Sequence, residues 1–209
     1  MSPRPRGVFI TFEGVEGAGK TTQIARLAAS LQQSGHEVCV TREPGGDALA
    51  EAVRNLLLHQ EMTPRAELLL FLAARAQNVE RVVRPHLEAG GVVLCDRFTD
   101  SSLAYQGVAR GLGRDTVDQL NVFATGGLVP DLTVLLDLPP EIGLARQSDH
   151  NRMEAEALAF HQAVREGFLS EARRDPARFS VLDAMLPIED LHHRILERTQ
   201  TVLSRSHPE

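Results

Sequence analysis

Gly14, Gly17, Gly19, Lys20 and Thr21 fall within GVEGAGKTT, residues 14–22, and fit the pattern G-x-x-x-x-G-K-[ST]. The chemistry this spacing allows is the gripping of a polyphosphate. Glycines let the chain turn tightly, so that successive backbone N–H groups face an anion with no Cβ in the way. Lys20 can then reach β- and γ-phosphate oxygens, and the Thr21 hydroxyl can ligate a magnesium ion. A short pattern of this kind means little without a strand before it and a helix after it. Both are predicted. Val8-Phe9-Ile10-Thr11-Phe12 is β-rich, and between Thr21 and Gln33 the apolar residues Ile24, Leu27, Ala28 and Leu31 share one helical face. That helix would aim its positive N-terminal end at the phosphates. The competing reading is a Gly-rich turn in some other α/β protein.

A second group of residues could serve phosphoryl transfer. Two segments have an apolar run followed by aspartate, ending at Asp96 and Asp137, and either could be the carboxylate that orients magnesium. Asp96 is favoured because Arg97 follows it, placing a cation and an anion at one point. Asp137 precedes Leu138-Pro139-Pro140, which reads as a helix-initiating turn, so a cap or loop role competes there. Transfer between two nucleotides needs cations around the moving group more than covalent help. Arg42 and Arg97 could supply them, and so could Arg146 and Arg152, which flank the polar stretch Gln147-Ser148-Asp149-His150-Asn151. That stretch could close over donor phosphates and exclude water, or it could be an ordinary surface loop. Phe71 and Arg75 are four residues apart on a predicted helix and so share a face, a combination suited to stacking on a base and donating to it. Pattern alone favours the plainer reading of Phe71 as core.

The elements that must position these groups alternate. Further strands are predicted at Glu37–Thr41, Val92–Cys95, Leu132–Leu136 and Phe179–Leu182, with helical pattern between them. Strands alternating with helices imply an α/β fold with a five-stranded parallel sheet covered by helices on both faces. In such sheets ligands bind at the carboxyl ends of the strands. Just past those ends stand Glu13 and the glycine-rich loop, Arg42-Glu43-Pro44-Gly45-Gly46, Asp96-Arg97, Asp137 and Asp183. Five separate stretches thus bring charge to one edge.

With 209 residues and 43% hydrophobic composition the chain can bury one sizeable core, and one domain is expected. A net charge of −6 argues against general nucleic-acid binding. No apolar run approaches the roughly 20 residues of a membrane-spanning helix, and the start leads into a strand instead of a signal-peptide core, so a cytoplasmic protein is expected. Cys39 and Cys95, the two cysteines, lie in β-like apolar runs and read as buried bystanders. His192-His193 reads as a solvated helix face and not as a metal site.

The residues also carry a family likeness. FEGVEGAGKTT at 12–22, TREPGG at 41–46, LLLFLAARAQ at 68–77, DRFTDSSLAYQG at 96–107, PDLTVLLDL at 130–138 and RME at 152–154 together resemble the bacterial thymidylate kinases over nearly the full length. The resemblance implies a P-loop NTPase fold with a short lid at about 146–154. It also implies transfer of the γ-phosphate of ATP to dTMP, giving ADP and dTDP for dTTP biosynthesis, with Mg2+ and usually in a homodimer. Position by position, Gly14, Val15, Glu16, Gly17, Ala18, Gly19, Lys20, Thr21 and Thr22 would bind ATP. Asp183 and Ala184 would border adenine. Arg42 and Arg97 would hold the dTMP phosphate, and Asp96 with Thr21 would organise the metal. Phe71 would stack on thymine, Arg75 would donate to a base carbonyl, and Ser102, Tyr105 and Gln106 would approach base and sugar, Tyr105 crowding a ribose 2′-hydroxyl. Glu13 matches a carboxylate near the acceptor.

The lid departs from the family pattern. Relatives that lack an arginine in the phosphate loop, as here with Val15, Glu16 and Ala18, usually carry several in a longer lid ending Asp-Arg-x-Glu. This chain reads Asn151-Arg152-Met153-Glu154, which leaves Arg152 first and Arg146 second as lid cation. Phe98 replaces the tyrosine of Asp-Arg-Tyr and can still pack. The competing functions are a deoxynucleoside kinase, which would not need Arg42 and Arg97 on an acceptor phosphate, and a binding or assembly ATPase. A GTPase switch would need an N-K-x-D stretch, and the sequence has none.

Overall fold

In the computed structural model, which describes residues 7–146 and 152–206, five strands form a parallel sheet in the order β2-β3-β1-β4-β5. They are β1 (Val8–Glu13), β2 (Val38–Arg42), β3 (Val92–Asp96), β4 (Leu132–Asp137) and β5 (Phe179–Asp183). Each ends one residue beyond its predicted end, because backbone pairing continues past the last side chain that needs burial. Glu13, Arg42, Asp96, Asp137 and Asp183 are therefore strand residues and not the first residues of loops. Register aligns Arg42 with Asp96 and Asp137 with Asp183, so the charges form a rim.

The helices are α1 (Lys20–Gln33), α2 (Ala48–His59), α3 (Pro64–Asn78), α4 (Arg84–Glu88), α5 (Thr99–Ser102), α6 (Arg114–Thr125), α7 (Pro140–Ala145), α8 (Leu158–Arg174) and α9 (Ile188–Ser206). A π-helical turn, Val79–Val83, joins α3 to α4, and a second, Leu103–Ala109, continues α5. The first lies just before Pro85, which cannot donate to the preceding turn, and the widened winding makes room for its ring. Caps fix two starts: Asp47 accepts from the Ala50 N–H at 2.8 Å ahead of α2, and Thr63 precedes Pro64 at the start of α3.

Because β1 is central, both its faces are buried, which explains why Val8–Phe12 is apolar except for Thr11, whose hydroxyl is hydrogen-bonded to that of Thr133. Val8, Ile10 and Phe12 pack in a core with Ile24, Leu27 and Leu31 of α1 and Leu191 and Ile195 of α9. Phe9 points to the opposite face and packs with Val79, Val83, Leu87 and Phe98. Each such fully buried side chain contributes roughly 1.5–3 kcal/mol through removal from water. A third cluster, Leu68, Leu72, Leu103, Val117 and Ala124, ties α3, α6 and the 103–109 segment into a layer beside the strand ends.

The packing of α9 on α1 also corrects one expectation. His193 is exposed, but His192 is only 8% exposed and its Nε2 lies 3.1 Å from Ser30 Oγ, so it is an interhelical contact and not part of a solvated face. Cys39 and Cys95 are free thiols, Cys95 fully buried. No helix among the described residues is long and apolar enough to cross a membrane.

Candidate active site

A cleft of about 400 Å³ opens where β1 and β3 lie side by side, at the carboxyl ends. This is where the chain reverses its direction of travel across the sheet, the usual crevice of open α/β sheets. Glu16, Gly17, Ala18, Gly19, Lys20, Thr21 and Thr22 line it together with Arg42, Arg54, Phe71, Asp96, Arg97, Ser102, Tyr105 and Gln106. The glycine-rich loop and the strand-end arginines thus share one cavity.

Gly19 caps α1 at φ 90, a conformation that a side chain would strain. Gly17, at φ 71, has a second reason to be glycine: a Cβ there would collide with the Gly143 carbonyl of α7, and one on Gly143 would collide with the Glu16 carbonyl. Lys20, 8% exposed, curls over the loop and donates to the Gly14 and Val15 carbonyls, both at 3.2 Å. Burial, then the nearby Arg97 charge, push its ammonium pKa down against the pull of Asp96, Glu16 and Glu13.

Thr21 Oγ1 donates to Asp96 Oδ2 at 3.4 Å, while Asp96 Oδ1 is buried with no hydrogen-bond partner among the described residues. A hydroxyl and an under-satisfied carboxylate are the hard oxygen donors that magnesium takes beside phosphates. Asp137 fills neither role considered for it. Arg165 of α8 binds it bidentately at 2.6 and 2.8 Å, and Pro139 stands at the cap of α7.

Arg97 sits at φ 70, strained for a residue with a side chain, at a cost of order 1–3 kcal/mol. Glu13 holds it there. Fully buried, Glu13 accepts from the Phe98 N–H at 2.8 Å, the Ser101 N–H at 3.3 Å and Ser101 Oγ at 2.6 Å. It does not line the cleft, so its expected contact with substrate gives way to a clamp on the turn that aims Arg97. Burial, then the Asp100 charge, push its pKa up to about 8, against Ser101, Arg97 and Phe98.

Glu16 contributes more than backbone. Its Oε1 accepts from Arg97 Nη2 at 2.9 Å and from the Tyr105 hydroxyl at 2.5 Å, and Oε2 lies 3.5 Å from His161 Nδ1. Burial would raise its pKa, but Arg97, His161, Lys20 and Tyr105 outweigh that and hold the carboxyl well below the usual range. Arg42 pairs with Glu51 at 3.0 Å on the cleft rim. Arg54, which the sequence reading missed, donates to the Pro44 carbonyl at 3.0 Å and supplies a third guanidinium to the same wall. Its spacing on an amphipathic helix carries no sign of that exposure to a cavity.

Phe71 borders the cleft and joins none of the apolar clusters. Its helical neighbour Arg75 is 1% exposed and lies behind the wall, donating to Glu43 at 2.6 Å, Ser102 at 2.9 Å, Asn121 at 2.5 Å and the Phe98 carbonyl at 2.8 Å. Ser102, Tyr105 and Gln106 all line the cleft. Asp183 and Ala184 lie beside the phosphate loop and not in the cleft. Asp183 accepts from the Met185 N–H at 2.8 Å, and Arg146 links that loop to Gly17, donating to its carbonyl at 2.9 Å and lying 3.9 Å from Met185 Sδ.

Neither lid arginine lines the cleft; Met153 and Glu154 do. Arg152 turns to α2 and α3, donating to the Leu57 carbonyl at 3.0 Å and placing Nη2 at 2.8 Å from Glu67 Oε2. A buried carboxylate from another element has drawn in the guanidinium expected over the donor phosphates. The stretch 147–151, including Asn151, lies outside the described residues.

Comparison with known proteins agrees with this geometry. The family model described as thymidylate kinase matches residues 12–195. A thymidylate kinase of Syntrophotalea carbinolica is 49% identical over 208 residues, covering 94% of this chain and 96% of the relative. One of Geobacter sulfurreducens is 54% identical over 189 residues, covering 85% and 89%. The crystal structure of thymidylate kinase from Ehrlichia chaffeensis superposes with a TM-score of 0.78 at 36% identity, covering 94% of this chain and 99% of that one. A P-loop facing strand-end guanidiniums across one cleft, on a chain matched from the first strand into the last helix, places this protein in the thymidylate kinase family.

Proposed function

We propose that the protein transfers the γ-phosphate of ATP to dTMP, giving ADP and dTDP. The observation that carries the reading is the shared cleft: Lys20 and the glycine-rich loop line it together with Arg42, Arg54 and Arg97, so that two phosphates can meet among them. On this reading residues 14–22 grip ATP, and Lys20 exchanges the Gly14 and Val15 carbonyls for β- and γ-phosphate oxygens. The three arginines hold the dTMP phosphate and offset the charge that spreads over the moving group. Thr21 and Asp96 would hold Mg2+, which when bound would supply positive charge to offset that of the phosphates.

Phe71 presents its ring to thymine, with Ser102 and Gln106 at the base and sugar. Arg75, held behind Ser102, positions that hydroxyl instead of donating to a base carbonyl. Tyr105, 5% exposed and tied to Glu16, leaves no give where a ribose 2′-hydroxyl would sit. Asp183 and Ala184, beside the loop and Arg146, border the adenine side. Arg146 stands nearer the donor loop than Arg152 does and is the better placed lid cation.

We further read residues 1–209 as one kinase domain with its lid at about 146–154, working in the cytoplasm as a homodimer and without nucleic acid. A net charge of −6 supports the last point. The dimer is supported by apolar side chains left open on α3 and α6: Leu69 at 59%, Val122 at 56% and Phe123 at 87% exposure. The test is a panel of nucleoside monophosphates and thymidine assayed for ADP release. dTMP is expected to be preferred and thymidine inert. Equal rates with thymidine would make it a nucleoside kinase, and indifference to every acceptor would make it an ATPase.

A further inference from the structure

Away from the cleft lining, Glu67 in the first turn of α3 is 1% exposed and gathers side chains from three directions. Its Oε1 accepts from Gln106 Nε2 at 2.9 Å and from Arg110 Nε at 3.3 Å. Its Oε2 accepts from Arg110 Nη2 at 3.2 Å and faces Arg152 Nη2 at 2.8 Å. Arg110 extends the network, reaching Glu156 Oε1 at 2.6 Å and lying over the Phe160 ring at 4.5 Å. A carboxylate buried this deeply is costly unless paired, and two guanidiniums with an amide meet that need. The consequence is positional. Gln106 lines the acceptor part of the cleft, while Arg152 begins the segment whose Met153 and Glu154 form its lip.

We infer that Glu67 is a positioning residue that joins the acceptor site to the foot of the lid, so that fixing Gln106 also fixes residues 152–156. Arg152 then acts as a latch on Glu67 and the end of α2, where its N–H and Nε hold the Leu58 and Leu57 carbonyls at 3.3 and 3.0 Å. Coupling of this kind is reciprocal: an acceptor that orders Gln106 steadies the lid foot, and a steadied foot tightens the acceptor site. The inference rests on the placement of dTMP in the cleft proposed above.

The experiment combines steady-state kinetics of Glu67→Gln, Arg152→Gln and their double variant with amide exchange, with and without saturating dTMP. Glu67→Gln keeps the side-chain shape. It is expected to raise KM for dTMP and lower kcat, each about threefold or more, with KM for ATP moving less. The double variant should show no lower kcat than Glu67→Gln alone, because both changes release the same latch. In the parent, dTMP should slow exchange at 152–156, and in Glu67→Gln that protection should vanish. Parent-like kinetics in a folded Glu67→Gln, losses that multiply in the double variant, or retained protection would each overturn the inference. Should Glu67→Gln fail to fold, Gln106→Leu leaves the ion pairs in place, and dTMP protection of 152–156 must still be lost. A parent protein whose residues 101–106 ignore dTMP would instead remove the placement of dTMP, which keeps the two failures distinguishable.

Discussion

Replacing Phe71 by alanine separates a ring that meets a base from a ring that merely fills space. Stacking of an aromatic ring on a base is worth ~1–3 kcal/mol, which corresponds to a rise in KM for dTMP of about 5- to 150-fold. The effect on folding should be small. A fully buried phenylalanine truncated to alanine costs about 3–5 kcal/mol, but Phe71 is half-buried on the cleft wall, and α3 stays anchored through Leu68, Leu72 and Arg75, at 3%, 7% and 1% exposure. We expect a loss of about 1 kcal/mol, or roughly 2–4 °C in Tm for a chain of this size. The assay is ADP release with dTMP titrated at saturating ATP, beside a thermal melt of the same preparation. Phe71→Tyr, which keeps the plane, should restore most of the affinity. An unchanged KM with a Tm fall beyond about 6 °C would return Phe71 to the core and refute the base-stacking argument.

Three further outcomes are expected. Lys20→Ala should lower kcat by about 10²–10³ while the melt stays near that of the parent, since this cation acts on charge that develops in transfer; activity within tenfold of the parent would contradict that role. Chelation by EDTA should stop turnover and added Mg2+ restore it, and Asp96→Asn should raise the Mg2+ concentration needed for half-maximal rate; a variant with the parent's magnesium dependence would remove Asp96 from the metal. Glu13 keeps a proton in the folded protein up to about pH 8, whereas unfolded it gives that proton up near 4.5. Stability is therefore lost as pH rises through that window, with a slope of up to ~1.4 kcal/mol per pH unit. Glu16 shifts the other way and acts only below that window. Urea unfolding between pH 5 and 8 should show a steeper slope in the parent than in Glu13→Gln, since Glu43, also pushed up by burial, adds a slope of the same sign to both; parallel curves would sink the assignment.

What could be read from the sequence is what depends on neighbours along the chain. The phosphate loop, all five strands and the strand-end pair Arg42 and Arg97 follow from spacing, periodicity and the rule about carboxyl ends. The orientation of side chains drawn in by distant partners does not follow. Arg152 looked like a lid cation until Glu67, on another helix, was seen to hold it. Phe71 and Arg75 do share a helix face, yet that face is broad enough for one to border the cleft while Glu43 and Asn121 bury the other behind the wall. His161 and Arg54 lie on helices whose patterns look ordinary, and only packing brings one to Glu16 and the other to the cleft. The π-helical turns have no spacing signature distinct from the helices they interrupt.

The abutment of Gly17 and Gly143 leaves little room between the glycine-rich loop and α7. Backbone bears on backbone, with no side chain to act as a cushion. A side chain at either glycine could be admitted only by driving the glycine-rich loop and α7 apart. Gly143 therefore shapes the cleft without lining it: enlarging it would displace Glu16 and Gly17, which do.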